Sequence, residues 1–154
     1  METLTASLVA VLGTLLGAGL THRFQVRAAE RAERFTRDER LRQERMAAYS
    51  AYAGALVTYR RVLLDRWFRL HEDNEPEESR RARLEGYALR TTVQEALFRV
   101  QMLTSDEALV ARAREALELI DQLHRAPDRA DLETRRDITR AAVTAFVTEA
   151  GRTL

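Results

Sequence analysis

Apolar residues are arranged in two different ways along this chain. Thr3 to Thr21 is an uncharged run of about 19 residues, which a helix stretches to roughly 28 Å, close to the hydrocarbon thickness of a bilayer. From Met46 onward the apolar residues instead recur every three or four positions, as on one face of a helix packed against a core. Tyr49, Tyr52, Ala53, Leu56, Tyr59, Leu63, Trp67 and Leu70 form the first such face, ending near HEDNEPEES. Ala82, Gly86, Leu89, Val93, Ala96, Leu97, Val100 and Leu103 form the second, and Leu109, Ala113, Ala116, Leu117, Ile120 and Leu123 the third, reaching to Arg125. Leu132, Thr139, Ala142, Val143, Phe146 and Val147 form the fourth, started by Pro127 and Asp128. In TSDE, Thr104 is expected as N-cap of the third helix, with Glu107 reaching back to it.

The pattern predicts an all-α protein. An N-terminal transmembrane helix (1–21) continues into a charged helical stalk (22–45), and an antiparallel up-down bundle follows (46–154). No Lys or Arg precedes the uncharged run, and no small-residue cleavage site follows it, so an uncleaved anchor is expected rather than an export signal. Arg23, Arg27 and Arg31 crowd its downstream side, which the positive-inside rule places in the cytoplasm. The reading is thus a single-pass plasma-membrane protein with its N-terminus outside, its bundle in the cytoplasm and those three arginines at lipid headgroups. Ala6, Ala10, Gly13 and Gly17 fall on one helical stripe, a face on which two spans can approach closely. A homo-oligomer is expected.

Composition narrows the chemistry. Net charge is only +1, so no overall field favours nucleic acid, and no specific nucleic-acid partner is expected. The short basic patches at Arg80–Arg83 and Arg135–Arg136 read as solvated faces. All 25 Lys-or-Arg positions are Arg, and Cys is absent, which excludes disulfides and thiolate sites. Asp121 and His124 stand at the spacing of half a di-iron motif, without a second copy. No phosphate loop, zincin motif or nucleophile elbow occurs. The reading is therefore non-enzymatic, with no metal and no cofactor. Trp67 and Phe68 are adjacent and cannot both face one core, so either one of them is exposed, a candidate patch for a protein partner of the bundle, or the bundle or a loop covers both.

The stretches GTLLGAGLTHRFQVRAAERAERF, LRQERMAAYSAYAGALVTYRR and DRW together resemble a group of short actinomycete proteins, some labelled KilB-like after a plasmid transfer and spread protein of Streptomyces. The resemblance spans roughly Gly13 to Trp67, with nothing added by the second half, and implies a membrane role in plasmid movement between cells. The leading expectation is a membrane-anchored oligomeric scaffold or adaptor. A pore-forming oligomer and a soluble helical ligand-binding protein are the alternatives.

Overall fold

A computed structural model describes residues 2–72 and 76–154; the side chains of residues 1–24, 26, 28, 29 and 76 also lie outside the described set. The described chain is all helix and connections. The helices are α1 (Glu2–His71), α2 (Pro76–Leu103), α3 (Glu107–Asp121) and α4 (Arg129–Arg152), with a 3₁₀ turn at Leu123–Arg125 between the last two. Two compact units divide it, Met1–Leu41 and Arg42–Leu154.

In the second unit, side-chain pairs give the direction of each helix. Tyr52 and Tyr59 of α1 donate their hydroxyls to the Ala113 carbonyl and the Asp121 carboxylate, both at 2.7 Å, so α1 and α3 run parallel. Arg60 meets Thr139 while Trp67 shares a cluster with Leu132, so α4 runs the opposite way. Arg45 reaches Leu103, and Arg69 reaches Glu78, so α2 is antiparallel to α1 as well. The bundle is up-down-up-down, as its short connections require.

The core follows the helical spacing closely. Tyr52, Leu56, Val93, Val100, Leu109, Ala113, Ile120, Leu123 and Phe146 are buried in one cluster. Ala113 and Ala116 on α3 leave room for the rings of Tyr52 and Phe146, which meet edge to face at 5.1 Å. Some expected core positions lie further out: Leu70 and Val147 are exposed, and Ala53, Leu89, Ala96, Leu103, Ala142 and Val143 are half-buried against the core.

The helix ends show how local chemistry sets boundaries. Pro76 occupies the first position of α2, where its missing N–H costs nothing. No basic residue stands in the last turn of α2, and Arg45 supplies the cap from α1, donating to the Leu103 carbonyl at 2.8 Å. Asp128 caps α4 by accepting from the Asp131 amide. The cap of α3 differs from the expectation. Asp106, not Thr104, accepts from the amides of Ala108 and Leu109, while Thr104 accepts from the Asp106 amide one step earlier. A carboxylate also matches the positive end of the helix better than a hydroxyl does. Asp106→Ala is therefore expected to cost about 1 kcal/mol in denaturant unfolding, and Thr104→Val less. The third helix also stops earlier than expected, at Asp121, with Leu123–Arg125 tightened into the 3₁₀ turn.

No helix among the described residues is long and apolar enough to cross a membrane. The anchor read from residues 3–21 thus rests on sequence alone.

Candidate functional site

Ala6, Ala10, Gly13 and Gly17, the proposed span contact, and Arg23 have side chains outside the described residues. Arg27 and Arg31 are exposed on α1. Of the two readings of the aromatic pair, the structure has the covered one. Trp67 is buried, its Nε1 donates to the Ala126 carbonyl at 2.7 Å, and its ring stacks on His71 at 4.4 Å. Phe68 is half-buried and meets the edge of Trp67 at 5.4 Å. Consecutive side chains on a helix diverge by about 100°, and here the 3₁₀ turn and the start of α4 cover the indole. Trp67 is an internal fastener, not a surface for a partner.

Two other features of the bundle surface stand out. The first is a second apolar face on α2. Leu84, Tyr87, Phe98 and Met102 are 52–78% exposed, lie within about 60° of one another around the helix, and point roughly opposite the buried Val93. This helix is apolar on both sides and uses one side for the core.

The second is a basic cleft bounded by α1, α2 and the end of α3, with a volume of about 480 Å³. Arg66 enters from α1, Arg83 and Arg90 from α2, and His124 and Arg125 from the 3₁₀ turn. Among the described residues Asp121 is its one acid and is already engaged: it accepts from the Tyr59 hydroxyl and forms an ion pair with Arg90 at 2.9 Å. That carboxylate explains why the Arg90 pKa moves up, through its hydrogen bond and then its charge. Burial, followed by the hydrogen bond and charge of Asp121, pushes the Tyr59 hydroxyl up, holding it as a donor. Burial is also the main cause lowering the His124 pKa, with Arg66 and Arg125 adding to it. The His124 Nδ1 is buried without a hydrogen-bond partner of ordinary geometry.

Sequence spacing had put Asp121 and His124 together as half a metal motif. Among the described residues no group of three or more His, Asp or Glu side chains comes together, and Asp121 serves the tyrosine and the arginine instead. Arg83 was visible only as part of a short basic patch. Its convergence with Arg66 and Arg125 depends on the packing of three helical elements, and no spacing along the chain signals it.

No solved structure matches the chain. The family model described as KilB plasmid transfer protein matches residues 46–154. Protein KilB of Streptomyces lividans is 35% identical over 149 residues, covering 97% of this chain and 97% of that protein. These matches correct the extent of the resemblance: they reach through the whole bundle, beyond Gly13–Trp67. The chain belongs to the KilB plasmid transfer protein family.

Proposed function

We propose that this protein serves plasmid transfer as a non-enzymatic, membrane-anchored oligomeric adaptor, held by residues 3–21 with its bundle in the cytoplasm. The observation that carries the reading is the unpartnered apolar face of α2. Leu84, Thr91 and Phe98 are spaced by seven, and Ala88, Glu95 and Met102 each lie four residues beyond one of them, so the seam is apolar toward its ends and carries one acid near its middle. In a parallel pair of α2 helices each of these residues meets its own counterpart, the self-complementary arrangement of a twofold dimer. The occupant proposed for this face is accordingly a second copy of the chain, and copies anchored in one membrane share the orientation that parallel pairing requires.

The face is about 27 Å long and offers on the order of 300 Å² per chain, well below the roughly 800 Å² per partner of a stable interface. It is too small to hold two free bundles together in water. Confinement to a membrane raises effective concentration enough for such a contact to persist, and the small-residue stripe Ala6, Ala10, Gly13 and Gly17 supplies a second one.

The absence of cysteine makes the test direct. Met102→Cys in isolated membranes is expected to crosslink to dimer under mild oxidation, and adding Phe98→Glu or Gly13→Ile with Gly17→Ile is expected to reduce the yield severalfold. Carbonate washing should leave the protein in the pellet. Release by carbonate removes the anchor; a monomer band unchanged by oxidation removes the α2 contact.

A further inference from the structure

We propose that the cleft between α1, α2 and the 3₁₀ turn is a binding site for a soluble phosphate ester of nucleotide size, its phosphate held by Arg66, Arg83 and Arg125. The inference is independent of the oligomer reading; only the ranking of a lipid headgroup below a soluble ester rests on the proposed anchor.

Among the described residues, eight arginines of the bundle pair with an acid three or four residues away, among them Arg81 with Glu78, Arg112 with Glu115, Arg129 with Glu133, Arg135 with Asp131 and Arg152 with Glu149. Arg66, Arg83 and Arg125 form no ion pair among the described residues, yet they line one concavity. The one carboxylate there is already neutralised by Arg90. Three guanidinium groups without an ion pair on one concavity leave positive charge and N–H donors free for an anion. Guanidinium forks match phosphate oxygens geometrically. His124 lines the same concavity.

Shape selects among anions. A volume of about 480 Å³ is in the range of small-molecule pockets, whereas a nucleic-acid backbone is tracked by an extended basic groove. Tyr87 also lines the cleft and leaves 62% of its surface exposed, an aromatic face on which a base can stack. A lipid headgroup fits less well. Arg66 lies 24 residues beyond Arg42, where the bundle begins, or about 36 Å along α1.

The test is equilibrium dialysis of the full-length protein in detergent against ADP and pyrophosphate. Both are expected to bind saturably at one per chain. Arg83→Gln and Arg125→Gln should each weaken both by about tenfold, the usual size of a charged hydrogen bond. Arg61→Gln, an exposed arginine outside the cleft, removes the same charge and should change neither. Tyr87→Ala should weaken ADP and spare pyrophosphate. Circular dichroism of each variant is expected to match the parent, since these side chains lie on the surface. Absence of saturation overturns the proposal, as does an equal loss with Arg61→Gln. So does tighter binding to a single-stranded DNA oligomer or to vesicles of phosphatidic acid than to ADP.

Discussion

Phe146→Ala is expected to destabilise the bundle by about 3–5 kcal/mol. The ring is fully buried, and it touches the edges of Tyr52 at 5.1 Å and Tyr49 at 6.4 Å. Truncation removes the transfer free energy of the ring and leaves a cavity between α1 and α4. Tyr52 cannot swing in to fill it, because its hydroxyl is tied to the Ala113 carbonyl. The two aromatic contacts are worth roughly 0.5–1.5 kcal/mol each beyond burial, which places the loss in the upper part of that range. Phe146→Leu keeps most of the volume and is expected to cost less than about 2 kcal/mol. Trp67 is the only tryptophan, so its fluorescence in denaturant reports the bundle of the full-length protein directly. At roughly 4 °C per kcal/mol for a domain of this size, the alanine variant should melt more than about 10 °C below the parent. A shift under about 3 °C would show that the aromatic trio is not the centre of the core.

Much of this core was legible in the sequence because burial is periodic. Tyr49, Tyr52, Leu56, Tyr59 and Leu63 repeat at three and four, and all five are buried. Every position expected on the third face, from Leu109 on α3 to Leu123 in the 3₁₀ turn, is buried too. Periodicity fails where an element ends or where a helix has two apolar sides. Leu70 keeps the rhythm of α1 but lies in its last turns, beside the loop, and is half exposed. On α2 the inner face was read, while Leu84, Tyr87, Phe98 and Met102, in register on the opposite side, were not recognised as a second face. The cap of α3 was misplaced because Thr104 and Asp106 can each serve as cap, and the choice depends on where the incoming chain leaves α2.

The candidate sites were less legible, for a related reason. A helix shows its own faces in sequence but not its neighbours. Arg66, Arg83 and Arg125 stand on three different elements, and only packing brings them to one cleft. Conversely, Trp67 and Phe68 could be read either as a surface or as covered, because their own helix cannot bury both against one core. The covering for Trp67 comes from the 3₁₀ turn and α4, more than 50 residues later in the chain.

That covering makes Trp67 the second position where a large effect is expected. The indole fills a small cluster with Ala126 and Leu132, apart from the main core, and its Nε1 holds the Ala126 carbonyl at 2.7 Å. His71 stacks on its other side and approaches the Trp67 carbonyl through Nδ1 at 3.0 Å. Two separable contributions follow. Trp67→Phe retains most of the apolar packing but leaves the Ala126 carbonyl without its donor, a loss of about 1–3 kcal/mol. Trp67→Ala loses the packing too and is expected to cost about 3–5 kcal/mol. The loss should also be local. With the fastener gone, the 3₁₀ turn and the first turns of α4 have lost their anchor to α1, while the Tyr52–Phe146 contact at the other end of the bundle is untouched. Amide exchange is therefore expected to accelerate most at Leu123–Arg125 and over the first turns of α4, and least around Ala113 and Phe146. Uniform acceleration along all four helices would mean instead that the bundle opens as one unit and that the small cluster has no independent role.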